Sequence, residues 1–437
     1  MFRSVALRLI CGGGFAVLLM PQALADTAPD AVEVPTPDAS GVKPSAPPPV
    51  ASSWFDRLPF IPVPDIGSDP DSGTTVGILP VWLKTDDQHA IRRIIAPDIV
   101  YNPFFGYGFD ARLYSYNSED EQWSIQGGAK ERVERDFDAE YQRGRLREEP
   151  WSYTASLVYS RDGTPRFFGI GNHSPAIAET NYTNSQELAQ LQIGRNFTPK
   201  WQLLYTLRVR TVHVLPGTLA RIASIESRFA DILGIGTNSE LLNRVSLIYD
   251  TRDSLTAPRH GMEWVVYGGI ATRSGVHDRT DAVYDETGVD GRGYWPIAPQ
   301  TIVAVHMSLR YLPSVRRLPF WALSSIGGGD SVIGGEQPLR GYGAGRFYDR
   351  NAFSASAELR HTVWSFDAMS THVDIELTPF VDVGQVFSRS STWPVQDLHK
   401  VGGIGFRGVA RPSVVGFVDV GYGSEGVAVF TGINYPF

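Results

Sequence analysis

The chain is short of cysteine, of charge, of basic excess and of long apolar runs. Cys11 is the one cysteine among 437 residues, so the rest of the chain can form no disulfide, thiolate nucleophile or cysteine-ligated zinc. Charged residues make up only 20% and the formal net charge is −8, which disfavours a nucleic-acid partner held by bulk basicity. No stretch outside the N-terminus approaches the ~18 apolar residues of a membrane helix. With a mean hydropathy of −0.14, that excludes a polytopic helical membrane protein. HExxH, GxSxG and CxxC patterns are missing as well. What is plentiful is glycine, at 44 residues, and aromatics, at 11%. Few charges, many aromatics and much glycine suit a transmembrane β-barrel. Such a barrel places apolar residues at every second position, so its average hydropathy looks soluble.

Residues 1–25 read as a secretory signal peptide. Arg3 and Arg8 precede an apolar core from Leu9 to Met20, and Ala23-Leu24-Ala25 is a small-x-small cleavage site. Cys11 lies inside this segment. Export of a chain without further cysteine points to the periplasm or outer membrane of a Gram-negative cell. Residues 26–60 are rich in proline, alanine and serine through about residue 53 and are expected to form a disordered leader.

From Gly73 onward the dominant period is two. His372, Asp374, Glu376, Thr378, Phe380, Asp382 and Gly384 share one face, while Val373, Ile375, Leu377, Val381 and Val383 share the other. Val303, Val305, Met307, Leu309 and Tyr311 likewise oppose Ile302, Ala304, His306, Ser308 and Arg310. Val427, Val429, Ile433, Tyr435 and Phe437 are expected on the apolar face of the last strand, with Tyr311, Tyr422 and Tyr435 in interfacial girdles. Segments of 10–14 residues suit tilted membrane strands. Counting them gives an all-β, closed antiparallel barrel over 61–437 with about 16 strands, the first near residue 73 and the last near 426. The weakest stretch is 134–150, where a charged turn could hide strand extensions. Starting the first strand outward puts the long connections 162–183, 214–239 and 312–350 outside. The spacing of Leu219, Ile222, Phe229, Ile232 and Leu233 predicts a short loop helix.

Several motifs stand out. Gly327-Gly328-Gly329-Asp330 and Leu339-Arg340-Gly341-Tyr342-Gly343 lie in one long loop. Without GxxxxGK[ST] or a following helix they do not suggest nucleotide binding. Phe380-Val381-Asp382-Val383-Gly384 puts Asp382 on a polar face, and Glu358 shares that inward parity on the preceding strand. Asp250-Thr251-Arg252-Asp253 is followed by Pro258 and Gly261, and Phe167-Phe168-Gly169-Ile170-Gly171-Asn172 by His173 and Ser174. Arg208, Arg210, Arg310 and Arg360 are inward by parity, where ion pairing with lumen acids such as Asp250 and Asp374 competes with a role in ion selectivity. The nine histidines are dispersed; by parity His361 faces the apolar side and His372 the lumen. Neither they nor the loop neighbours His173 and Ser174 assemble a metal or nucleophile site, so no catalysis and no cofactor are expected.

On these residues the chain resembles the bacterial surface antigen barrel family, the superfamily of BamA and TamA. In that family a [V/L]-R-G-[F/Y] loop tip, matched by Leu339 to Tyr342, folds back into the lumen. The resemblance implies that Arg340 meets Asp382 of the F-x-D-x-G motif, with Glu358 as a second acidic partner. Asp250, Arg252, Asp253, Pro258 and Gly261 resemble the family's D-x-R-D…P-x-x-G hairpin. Phe167 to Asn172 resembles a segment of stand-alone members. Gly432, Tyr435 and Phe437 resemble the terminal β-signal read by barrel-assembly machinery, with Phe430 where a polar residue is usual. Residues 26–60 are too short for a POTRA domain, so the resemblance is to the stand-alone branch.

The implied function is protein or lipid insertion or translocation, or membrane homeostasis, in contact with outer-membrane lipid and an undetermined client. A weakly zipped seam would join the first and last strands, where Gly73, Gly77 and Pro80 face Gly432 and Pro436. The alternative is a passive pore or structural barrel constricted by loop 326–350.

Overall fold

Thr301–Tyr311 shows how the wall is made. Ile302, Ala304, His306, Ser308 and Arg310 are buried toward the inside, and the alternate Val303 to Tyr311 are half-exposed outside. Antiparallel neighbours repeat this alternation, and the pairing carries it round a nearly closed ring. The computed structural model describes residues 60–437 except 87–90, 119, 275–282, 316, 334–335, 369–370, 389–394, 411–413 and 434. The expected signal peptide and, but for Phe60, the leader lie outside the described residues.

The barrel strands, in order of chain and of pairing, are β1 (Ile61–Asp69), β2 (Gly73–Thr85), β3 (Ile91–Asn102), β4 (Gly106–Tyr116), β5 (Glu121–Lys130), β6 (Arg135–Arg143), β7 (Trp151–Asp162), β8 (Thr180–Thr198), β9 (Trp201–Pro216), β10 (Gly236–Asp250), β11 (Gly261–Ser274), β12 (Val283–Ala298), β13 (Thr301–Tyr311), β14 (Asn351–Ala368), β15 (Thr371–Phe387), β16 (His399–Ala410), β17 (Val414–Gly423) and β18 (Gly426–Ile433).

That is eighteen strands rather than about sixteen, and the additions are β1 and β6. Pro62 and Pro64 disguise β1, because proline breaks a ladder everywhere except at an edge. Charge disguises β6, although Phe137, Ala139 and Tyr141 alternate with Asp136, Asp138 and Glu140. The extra first strand reverses β2–β5 relative to the sequence expectation, and β6 restores the direction from β7 onward. Connections 163–179, 217–235 and 312–350 therefore do share one end, while turns 199–200 and 299–300 share the other.

The long connections close their end of the barrel with an apolar dome. Phe167, Tyr182, Ile225, Leu312 and Phe320 are buried there, with Phe167 and Phe320 ring centroids 4.8 Å apart. The connection holds a single helical turn, Ile225–Arg228, which contains none of Leu219, Ile222, Phe229, Ile232 and Leu233, whose spacing predicts a helix. Loop 312–350 has its own small sheet, formed by Ser324–Ile326, Glu336–Gln337 and Phe347–Asp349. That frame carries Arg340 down into the lumen, where it is fully buried.

The last residues depart from expectation. Tyr435 and Phe437 do not lie on the outer apolar face with Val427, nor is Tyr435 in a girdle. Both are buried inside, beyond the end of β18. Pro436 offers no amide donor to prolong a ladder, and the two aromatic faces find inward partners instead. Phe437 packs with Tyr294, Ile302 and Ala304 and stacks on His306 with 5.2 Å between centroids. Phe430 also points inward, against Phe417 and Ala428.

Candidate functional site

Three arginines and three carboxylates are brought together in the lumen. Arg340 arrives on the loop; Glu358 and Arg360 come from β14, Asp382 from β15, Arg407 from β16 and Asp419 from β17. The Arg340 main-chain N–H and Nε both donate to Asp382 Oδ2, at 3.0 and 2.9 Å, and Nη2 donates to Oδ1 at 2.7 Å. Its Nη1 is shared by Glu358 and by Asp419 Oδ2 at 2.9 Å. The guanidinium carbon lies over the Phe380 ring, 3.7 Å from its centre. Arg407 bridges Asp419 and Glu358, and Arg360 Nε donates to Glu358 Oε2 at 2.8 Å. Charges balance one to one, which a buried ionic cluster needs. Of these, Arg340, Asp382, Glu358, Phe380 and Arg360 stand out in the sequence, and Arg407 and Asp419 do not. Asp419 alternates with Val418 and Val420, a signal that parity alone offers.

Glycines let the loop tip reach the wall. A Cβ on Gly341 would sit 2.7 Å from Val401 Cγ2 and 2.9 Å from Gly423 N. A Cβ on Gly421 would overlap the Arg340 carbonyl. Tyr342 is buried and its hydroxyl lies 2.8 Å from Ser424 Oγ. Gly384 stands two residues beyond Asp382 on the same face, where a Cβ would approach Phe353 O to 3.1 Å.

The seam lies between β1 and β18, not at β2, which is paired on both sides. Gly73, Gly77 and Pro80 are thus one strand inside it, and Pro436 has left the wall. Among the described residues no backbone ladder joins β1 to β18. A bond between them runs from Ser68 N–H to Thr431 Oγ1, at 2.7 Å. Residues 62, 64, 66 and 68 share that edge by parity, and Pro62 and Pro64 have no N–H to give.

The same loop straddles the seam at the dome end. On one side Ala344 N–H donates to Asp71 Oδ2 at 2.8 Å, in the β1–β2 turn. On the other, Arg346 pairs with Glu425 in the β17–β18 turn at 2.6 Å, and Tyr342 meets Ser424. Burial pushes the Asp71 carboxyl well above the usual carboxylate range; neighbouring Asp69 adds to this and Arg166 opposes it. Arg346 is stacked between Phe168 and Phe347, at 4.0 and 4.4 Å, and also donates to Ser174. Asn172 accepts from Val386 N–H at 3.0 Å, and its carbonyl lies 2.9 Å from His399 Nε2. The Phe167–Asn172 segment therefore buttresses the strap. His173 is exposed, with Asp397 3.9 Å away, while Ser174 is occupied by Arg346.

At the opposite end, Asp250 binds Arg252 through both oxygens and also meets Arg147 at 3.3 Å. Asp253 accepts the N–H groups of Arg259 and His260 at 2.9 and 3.2 Å, Pro258 is buried, and Gly261 takes φ +98°. Ion pairs continue from Arg252 through Glu263 and Arg292 to Asp290, whose Oδ2 lies 2.9 Å from Nε2 of His306, the ring stacked on Phe437. Arg360 lies 3.7 Å from the Tyr435 ring centre, and Tyr435 donates to Glu376 at 2.9 Å. The tail after Gly432 thus bridges the hairpin network and the Arg340 cluster. The other inward arginines are ion-paired: Arg208 and Arg210 with Glu240, and Arg310 with Glu286. Asp374 lies 3.3 Å from His372, whereas His361 faces outward beside Thr301.

A family model described as the Omp85 superfamily domain matches residues 119–406. CdiB from Escherichia coli is similar in structure, with a TM-score of 0.53 at 12% identity, over 86% of this chain and 63% of that one. BamA from Haemophilus ducreyi lacking POTRA domains 1-3 aligns over 82% of this chain and 74% of that chain, at 14% identity and a TM-score of 0.48. No curated protein sequence matches the chain.

Proposed function

Because the chain belongs to the Omp85 superfamily, we propose that it is an integral outer-membrane barrel that inserts or translocates protein or lipid through the β1–β18 seam. In this reading residues 1–25 direct export from a Gram-negative cytoplasm, and barrel-assembly machinery inserts the chain. The observation that carries it is the seam itself. Among the described residues every other pair of neighbouring strands is laddered, whereas β1 and β18 share no ladder, meet through the Ser68 N–H to Thr431 Oγ1 bond, and are strapped at one end by loop 312–350. An open edge in a bilayer leaves polar groups unpaired, so such a seam suits brief opening toward a client strand or lipid. The passive-pore reading is disfavoured by the lumen contents, since the loop tip and the tail both fill it.

Ser68→Cys with Thr431→Cys tests the proposal, in a chain whose one native cysteine, Cys11, lies in the expected signal peptide. In a strain depleted of the protein, the oxidised pair should fail to restore outer-membrane protein and lipid composition, and reduction should rescue it. Full restoration by the locked barrel would overturn the gate.

A further inference from the structure

The outer wall over β5–β9 carries two features that the seam does not use. The first is a shallow apolar groove of about 570 Å³. Ala139, Ala155 and Ala189 form its floor, and Tyr141, Leu157 and Val209 are among its larger sides. Register explains the hollow. Ala139 pairs with Leu157, Leu157 with Ala189, and Ala155 with both Tyr141 and Leu191, so small residues run diagonally between large ones.

The second feature is a pair of like charges. Arg135 and Arg161 stand directly opposite each other on β6 and β7, both exposed on the same outer face at the dome end. Cβ atoms so placed are only ~4.5–5.5 Å apart, and like charges there are destabilising. Neither arginine has a carboxylate within ion-pair distance among the described residues. Glu187 faces the same wall opposite Tyr159, but pairs with neither. Arg135 Nη1 donates to the Lys130 and Glu134 carbonyls, which steadies its head at the rim and leaves its other donors available. Arginines at the other end of this wall are already engaged. Arg195 lies 5.1 Å over Trp151, and Arg143 meets Glu149 at 3.7 Å.

The two features line up. Below Arg135 and Arg161 come Phe137 and Tyr159, then Ala139 and Leu157. Four residues of strand separate the charges from the groove, roughly 13 Å along the wall. An amphiphile with an anionic head and an apolar tail matches that order, and arginine forks fit phosphate oxygens. We propose that this wall binds a phosphorylated, multiply acylated lipid of the outer leaflet. The headgroup phosphate would sit between Arg135 and Arg161, with an acyl chain in the alanine groove. This rests on outer-membrane placement and not on the seam.

Native mass spectrometry of the folded, detergent-held full chain can test it. The probes are lipid A, dephosphorylated lipid A and inorganic phosphate. Lipid A should bind about tenfold more tightly than its dephosphorylated form, and R135Q/R161Q should abolish that preference. Ala155→Leu, which fills the groove, should weaken lipid A without touching either arginine, and R135K/R161K should retain part of the binding. Equal binding of lipid A by the wild type and the glutamine pair, or of the two lipid forms by the wild type, would overturn the site. Inorganic phosphate binding as tightly as lipid A would overturn the lipid assignment. Because the readout is binding to isolated barrel, it stands or falls separately from the cysteine-lock experiment.

Discussion

Arg340 and Asp382, 42 residues apart in the chain, are joined by main-chain and side-chain bonds onto one carboxylate. The main-chain bond fixes where the loop backbone stops, and the side-chain fork fixes how the guanidinium lies. Glu358 and Asp419 then hold the face that Asp382 leaves free. The loop is thus anchored by three wall strands at once.

Removing Arg340 leaves the buried Asp382 without its arginine, while Glu358 and Asp419 keep Arg360 and Arg407; breaking such a buried pair costs about 3–5 kcal/mol. Arg340→Ala should therefore lower the temperature at which the barrel loses heat-modifiable gel migration. Arg340→Lys should recover little, because an ammonium cannot fork onto Asp382 while reaching Glu358. Arg340→Ala combined with Asp382→Ala should cost less than the sum of the single changes. Unchanged migration for all three would refute the anchoring role.

Gly421→Ala tests backbone approach without changing charge. The added Cβ would overlap the Arg340 carbonyl, so the tip must lift away. The expected result is a loss comparable with Arg340→Ala, and faster proteolysis within 312–350. Gly402, where a Cβ meets open space, is the control, and Gly402→Ala should behave as wild type.

The strap predicts a kinetic effect at the seam. Arg346→Ala releases Glu425, and the β17–β18 turn is then held mainly by Tyr342 and Ser424. Placed in the Ser68→Cys/Thr431→Cys background, Arg346→Ala should slow disulfide formation, because the two strands spend more time apart. Equal rates would show that the loop does not restrain the seam.

The pH response has a defined sign. Burial pushes the Asp71 carboxyl up in the folded barrel, against the opposing effects of Arg166 and the Ala344 N–H, so folding takes up a proton there. Its contribution is full below the ordinary carboxylate pKa and is lost as pH rises through the raised value. Resistance to heat should fall with pH across that window in the wild type, and Asp71→Asn should flatten the dependence.

Phe437→Ala removes the ring stacked on His306 and packed against Tyr294 and Ile302. A buried phenylalanine truncated to alanine costs about 3–5 kcal/mol. Planar-bilayer conductance should rise as the lumen opens at that end, and a silent bilayer would count against the tail as a plug.

Period-two alternation made the barrel legible without coordinates. His372 to Gly384 and Thr301 to Tyr311 divide into inner and outer sets because a strand has only two faces. The loop tip was legible through its motif, and Asp382 and Glu358 through parity. β1 was not, because Pro62 and Pro64 are tolerated only where an edge lacks a partner, and which strand forms the edge is a property of the closed ring. Missing it moved the seam by one strand and reversed the next four. The joining of Arg407 and Asp419 to the Arg340 cluster, the turn of Phe437 into the lumen and the straddling of Asp71 and Glu425 by one loop were decided by tertiary structure alone. Each depends on residues brought close by barrel closure, and local periodicity carries no information about distance across a lumen.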